Sequence, residues 1–267
     1  MTIAMPPQPR RFGAVNWLGL WTLYRKEVSR FLNVALQTVA APVVTALLFL
    51  AVFALALGGG ARAVAGVPYV AFLAPGLVVM AIAQNAFTNT ASSLVIAKVQ
   101  GSIVDLLMPP LSPAEQLAAL ALGGVTRGLV VGTAVWLVMV PFAGVGLHHP
   151  GFALFHAAAA ALMLSLIGVL GGLWSEKFDH LAAVTNFVIT PLAFLSGTFY
   201  STVRLPEPWL TVAHFNPFFY MIDGFRYGMA GHADGALAVG VAVMVAVNLG
   251  LGLLAHRLFR IGYKLKP

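Results

Sequence analysis

Apolar residues run along this chain in six long blocks, at about Ala35–Leu57, Val70–Ala91, Leu117–Phe142, Phe152–Trp174, Leu181–Phe199 and Ala236–Ala255, with polar and charged residues gathered between them. Each block has about the length of apolar helix needed to cross ~30 Å of hydrocarbon. None shows the ten-residue alternation of inward polar and outward apolar side chains that marks an outer-membrane barrel. The pattern predicts an all-α integral membrane protein with six transmembrane helices. Residues 1–34 form a cytoplasmic N-terminus with an interfacial helix, 35–255 the transmembrane domain, and 256–267 a basic cytoplasmic tail.

The polar positions refine this picture. Ahead of the first block, Trp17, Leu20, Trp21, Tyr24, Val28 and Phe31 recur at helical spacing, with Arg25, Lys26, Ser29 and Arg30 opposite them. Such a helix lies along the membrane, aromatics at the acyl boundary and basic residues among headgroups. It is an anchor, or an anchor that also meets a cytoplasmic partner. In the second block Asn85, Asn89, Ser92 and Ser93 share one face at i, i+4, i+7 and i+8, beside Gln84 and Thr88. Amides in hydrocarbon need partners, so this face points at another helix, a second subunit or a water-filled path. The fifth block carries Asn186 and Thr190 before Pro191, which removes a backbone hydrogen bond and bends the helix. In the second, Pro75-Gly76 offers a break.

Between the second and third blocks the apolar pattern thins without vanishing. Ile103, Leu106 and Leu107 form one face of a short helix that Gly101-Ser102 starts and Pro109-Pro110 stops. Ser112-Pro113-Ala114-Glu115 then reads as a capping box with proline at the first helical position. A shorter turn, Ser175–His180, follows the fourth block and is a second contact point. From Tyr200 to Gly235 two helix starts, Leu205–Leu210 and Asn216–Met221, predict a pair of short re-entrant or interfacial helices, with Asp223 and Arg226 placed at i, i+3 to pair.

Composition places the chain firmly in the membrane: 267 residues, 60% hydrophobic, 9% charged, mean hydropathy +0.91. There is no cysteine, hence no disulfide or thiolate metal site. The start, MTIAMPPQPRRF, has no apolar core or small-residue cleavage site behind its arginines, so no cleaved leader is expected. The net charge of +7 implies anionic lipid as partner and no nucleic acid, because of where the charge lies. Arg10, Arg11, Arg25, Lys26, Arg30, Lys98, Lys177, Arg257, Arg260, Lys264 and Lys266 fall on one side, against Arg62, Arg204 and Arg226 on the other. The positive-inside rule then puts both termini in the cytoplasm.

Within the blocks only Arg127 and His156 ionise, near the span edges, whereas ion-coupled carriers commonly bury charge at mid-membrane. Work across the membrane is then powered from elsewhere. The alternative is a stand-alone secondary carrier or channel, with span two broken at Pro75-Gly76 and ions held by the freed carbonyls. The chain has no Gly-Lys pair and so no phosphate-binding loop of the G-x-x-x-x-G-K-[ST] type. Ser196-Gly197 lacks the glycine two residues earlier and the base of an intramembrane serine protease, since His214 and His232 lie in the outer segment. His148, His149 and His156 have no carboxylate beside them in sequence and predict no metal site. No catalytic residue is expected.

The strings Tyr24-Arg25-Lys26-Glu27, Phe72-Leu73-Ala74-Pro75-Gly76, Gln100 to Pro113, Arg127-Gly128-Leu129, Phe194–Tyr200, Leu205-Pro206 and Asp223–Arg226, in this order and spacing, resemble the membrane subunits of ABC-2 type exporters of drugs, nodulation factors, polysaccharides and lipids. The resemblance covers nearly the whole chain. It implies a homodimer in the bacterial inner membrane, docked to two copies of a separate ATPase that holds ATP and magnesium, while this chain binds no cofactor and is no enzyme. Gly101, Ser102, Ile103, Val104, Asp105, Leu106 and Leu107 would be the coupling helix, with Glu176, Lys177 and Asp179 a lesser contact. Asp105→Arg or Leu106→Asp is then expected to leave the fold intact and abolish coupling. Asn85, Phe87, Asn89, Ser93, Asn186, Phe187, Thr190 and Phe194 would line a path or the dimer interface, for a hydrophobic or amphiphilic cargo such as a drug or lipid-linked molecule. Asp223 and Arg226 would close the outer mouth.

Overall fold

A computed structural model describes residues 13–56, 63–64 and 66–265. The predicted loop 58–62, with Arg10, Arg11 and Lys266, lies outside them. Among the described residues six helices are long and apolar enough to span a membrane. In chain order the helices are α1 (Trp17–Leu32), α2 (Ala41–Ala56), α3 (Tyr69–Val99), α4 (Ile103–Leu107), α5 (Pro113–Ala143), α6 (Pro150–Trp174), α7 (Phe178–Val184), α8 (Thr190–Leu195), α9 (Trp209–Phe215), α10 (Pro217–Ala230) and α11 (Leu237–Ile261). Ahead of α3, strands β1 (Ala63–Val64) and β2 (Val67–Pro68) form a small antiparallel hairpin that the apolar pattern did not reveal.

The predicted capping box at the start of α5 is present, with Ser112 and Glu115 bonding each other's backbone N–H groups. Helix α3 runs unbroken through Pro75 and continues eight residues past the predicted end of its span, to Val99. The discontinuous helix required by the stand-alone carrier reading is therefore absent.

Two spans contain a wide π-helical turn instead of a simple bend. Leu36–Ala40 precedes Pro42 in span one, and Thr185–Ile189 precedes Pro191 in span five. A proline ring clashes with the carbonyl four residues earlier, and widening the turn moves that carbonyl aside.

Helix α3 is the hub of the bundle, gripped between α5 and α6. Close approach is made possible by small residues: Gly124, Gly128 and Gly132 lie at four-residue spacing on α5. A Cβ at Gly128 would sit 2.8 Å from the Ile82 carbonyl oxygen. In lipid, where apolar surface alone does not drive helices together, such backbone contact supplies the packing energy. The apolar interior divides in two, one cluster centred on α3, α6 and α10, the other joining Leu23, Leu94, Leu106, Leu120, Leu173 and Phe259 at the end that holds α4.

Helix α1 packs lengthwise on the first half of α5. It buries Leu23, Glu27 and Phe31, while Trp17 and Trp21 stay exposed. Glu27 and Arg30 turn toward the bundle because their hydrogen-bond partners on α3 lie there.

Candidate functional site

At the α4 end, Gly101 turns the chain with a φ of +70°, the left-handed region that favours glycine. The short helix α4 follows. Ile103 and Leu106 point inward, onto the cluster formed with Leu23 and Leu117, and the Gln116 side chain donates to the Leu106 carbonyl (3.1 Å). Val104, Leu107 and Met108 face outward with Asp105. The predicted face is thus corrected: Leu107 belongs to the outward side, since a five-residue helix can turn only two of its apolar side chains into the bundle. Leu106→Asp would bury a carboxylate and disrupt the fold, so it cannot serve as a probe of docking alone. Ser102 makes no side-chain cap.

A clamp that escaped sequence reading ties this outward face to the spans. The Asn16 backbone N–H donates to Glu115 Oε1 (2.5 Å), its side chain donates to the Pro110 carbonyl (3.1 Å), and its Oδ1 accepts from the Gly19 N–H (3.0 Å). Glu115 Oε2 meanwhile accepts from the Ser112 N–H (2.6 Å) and is hydrogen-bonded to the Ser112 hydroxyl (2.8 Å). One carboxylate therefore starts α5 and holds the start of α1, and Asn16 joins both to the Pro109-Pro110 stop of α4. Between α1 and α4 lies a cleft of ≈330 Å³ lined by Gly19, Leu23, Lys26, Asp105, Leu106 and Pro110.

The second predicted contact, Glu176, Lys177 and Asp179, shares this end. Lys98, in the last turn of α3, donates to the carbonyls of Gly172 (2.9 Å), Leu173 (2.5 Å) and Ser175 (3.2 Å), satisfying the exposed carboxyl end of α6. Glu176 pairs with Lys264 at 2.8 Å. That hydrogen bond and charge hold the Glu176 carboxyl below its usual range and raise Lys264. Glu176, Lys177 and Asp179 are exposed.

The polar face of α3 points inward. Glu27 accepts from Ser93 Oγ (2.7 Å) and pairs with Arg30 (3.0 Å); Arg30 also donates to Ser92 Oγ (3.1 Å) and the Asn89 carbonyl (2.6 Å). Arg127 on α5 donates to Asn85 Oδ1 (3.1 Å). Asn85, Asn89 and Ser93 are brought together, against α1 and α5 of the same chain.

Span five is elsewhere. Asn186 is exposed, Phe187 is 81% exposed and Phe194 44%, while Phe87 is buried against α6. The expected wall of Phe87, Phe187 and Phe194 around Asn85, Asn89, Asn186 and Thr190 does not form within one chain, because helical spacing places Phe87 and Asn85 on inward sides of α3. The polar positions that α3 leaves exposed are Gln84 and Thr88, in an otherwise buried stretch. Spans one and five meet at their outer ends through Phe49, Phe53, Phe194 and Phe199.

The segment between spans five and six holds the helices α9 and α10 near the two predicted helix starts; α10 is the longer and is packed against α3, α6 and α11. Asp223 and Arg226 are both buried but form no salt bridge. Arg226 donates to the carbonyls of Phe72 (3.3 Å) and Gly197 (2.6 Å) and lies 3.9 Å above the Phe72 ring, while Asp223 accepts from the backbone N–H groups of Asp234 (2.7 Å) and Gly235 (3.0 Å). Each side chain is consumed by backbone groups of other segments. Asp234 binds His232 (2.9 Å) and Ser201 (2.9 Å) and accepts from the Thr202 N–H (2.9 Å). Burial pushes the Asp234 pKa up, but these hydrogen bonds outweigh it and hold the carboxyl below its ordinary value. The His148 and His149 rings lie 4.5 Å apart at a tilt and His149 stacks on Tyr227; among the described residues no three His, Asp or Glu side chains converge as a metal site would need.

Residues 19–230 match the family model described as ABC-2 type transporter. The chain belongs to the ABC-2 type transporter family. It is 37% identical over 253 residues to the inner membrane transport permease YadH of Escherichia coli (strain K12), covering 94% of this chain and 98% of the relative. It is also similar to Nodulation protein J of Rhizobium leguminosarum bv. trifolii (27% over 266 residues, 93% and 96% covered) and of Sinorhizobium fredii (24% over 267 residues, 93% and 98% covered). As an ABC-2 permease the chain is a multi-pass inner membrane protein and the membrane subunit of an ABC transporter, a family that works with an ABC ATPase and is normally not itself catalytic.

Among functional residues, Asn16, Glu27, Lys98 and the second role of Glu115 were not anticipated. The glycine spacing on α5 was open to reading as a small-xxx-small signal; the side-chain clamps joining residues ~75–100 positions apart left no local trace.

Proposed function

We propose that this ABC-2 permease works as a homodimer with two ATPase subunits and exports a hydrophobic or amphiphilic cargo by alternating access, with both termini cytoplasmic. The observation that carries this reading is the outward apolar face of α4, Val104, Leu107 and Met108, joined through Asn16 and Glu115 to α1 and α5. Exposed apolar side chains at a water-facing end call for a protein partner. Force applied to α4 by ATPase closure would reach α5 and α1 together, and through α5 the hub helix α3.

The sparsely buried spans one and five, with Gln84 and Thr88 of α3, offer the surface for a second copy. Polar side chains there need partners or water, which suits an interface that also forms the path. Phe187 and Phe194 would supply its apolar wall, and α9 and α10 the re-entrant closure of the outer mouth. The test is affinity purification of the tagged chain from native membranes in mild detergent. An ABC ATPase recovered in equal amount is expected. A chain that purifies alone, and moves solute down an ion gradient in ATP-free vesicles, would replace this reading with an independent carrier.

A further inference from the structure

We infer that the junction of α1, α3 and α5 binds the anionic headgroup, of phosphate type, of an amphiphile in the leaflet beside α1. The charges at this junction do not balance. Arg30 is paired with Glu27 and donates to Ser92 and the Asn89 carbonyl, leaving only its Nε without a partner. Arg127 sits one helical turn farther along α3, on Asn85, where successive turns are separated by ~5.4 Å. Two guanidiniums share one carboxylate.

Arg127 has no carboxylate within 4.0 Å among the described residues. Its one hydrogen bond goes to a neutral amide, its Nε is buried without a partner, and its side chain is partly exposed. The adjacent Asn89 is fully buried, and neither polar atom of its amide has a partner. A guanidinium within a membrane-spanning helix is expected to acquire an anion, and phosphate suits its forked donors best. Basic pockets between helices at the membrane face are where anionic headgroups bind.

The surroundings accommodate the rest of an amphiphile. On α5, Val130 (40% exposed), Leu137 (58%) and Val138 (37%) follow Arg127 at i+3, i+10 and i+11, a strip along which an acyl chain can lie. The exposed Arg25 and Lys26 of α1 attract anionic lipid to the same end. The leaflet assignment rests on the orientation proposed above; the binding itself requires neither ATPase nor transport.

The test uses the full chain in a mild nonionic detergent, titrated with phosphatidylglycerol or with phosphatidylcholine of the same acyl chains, and read by native mass spectrometry. Selective retention of phosphatidylglycerol is expected, falling about tenfold in R127Q, the effect of losing one charge-assisted contact, and kept in R127K. N85D places a carboxylate where Asn85 already accepts from Arg127, so it neutralises the site while preserving the contact between α3 and α5. It too should lose the lipid, and it decides the matter if R127Q fails to fold. Dodecyl phosphate distinguishes the source: competition by this single-chain compound at equal strength points to an amphiphilic cargo, and resistance to it points to a resident two-chain lipid. Equal retention of both phospholipids, or unchanged retention in N85D, overturns the inference.

Discussion

Replacing Arg226 by methionine tests whether the outer end of the bundle is held by this side chain. The guanidinium is 1% exposed and ties three elements, donating to Phe72 on α3 and Gly197 after α8 from its own place on α10. Methionine fills similar space but donates nothing, so both hydrogen bonds are lost: the Gly197 carbonyl loses its charged donor, and the Phe72 carbonyl is left with its bond inside α3 alone. Two hydrogen bonds to a charged donor contribute about 1.5–3 kcal/mol each, and the desolvated contact over the Phe72 ring adds about 2 kcal/mol. Against this loss stands the relief of burying a guanidinium, several kcal/mol. A net destabilisation of about 3 kcal/mol remains, equivalent to a roughly 150-fold increase in opening of the outer segment. Hydrogen exchange in detergent reads this directly. Amides at Gly197–Thr202 and in the first turns of α3 should exchange faster, while those of α5 against α6 stay unchanged. Exchange within twofold of the unaltered protein would refute the assignment, and R226K, which keeps a charge but loses the planar fork, should fall between.

Val104→Asp and Met108→Asp should leave the bundle's thermal stability unchanged and abolish stimulation of the partner ATPase, whereas Leu106→Asp should lower stability as well; a Val104→Asp protein with full stimulation would remove α4 from the coupling role. Gly128→Leu drives a side chain against the Ile82 carbonyl and should cost at least about 1–3 kcal/mol, seen as a lower melting temperature or loss of a monodisperse peak, because backbone on both sides limits relaxation. The Asp234 carboxyl is held below its unfolded pKa, so its contribution to stability is complete above about pH 4 and is lost as pH falls through the lower folded value. Melting curves of the detergent-solubilised protein should therefore be flat in this respect from pH 8 to 5 and decline below 4, and Asp234→Asn should lower the plateau and flatten the decline.

The number and type of the spans were legible in the chain because hydrocarbon imposes a minimum length and a polarity on every helix that crosses it, although α3 runs eight residues past its apolar block. The start of α5 was legible for the same local reason: Ser112 and Glu115 are three residues apart, within reach of each other before any tertiary contact forms. The existence of α4 was legible from its breakers, Gly101 before it and Pro109-Pro110 after it. What a helix faces was decided only in three dimensions. Amphipathicity placed Arg30 of α1 among headgroups, yet it turned toward α3 once Glu27, Ser92 and the Asn89 carbonyl could complete its hydrogen bonds. Asp223 and Arg226, spaced to pair on one helix, each found backbone groups of distant segments instead. A buried polar atom takes whatever partner the packing brings within about 3 Å, and spacing along a single helix cannot reveal which partner that is.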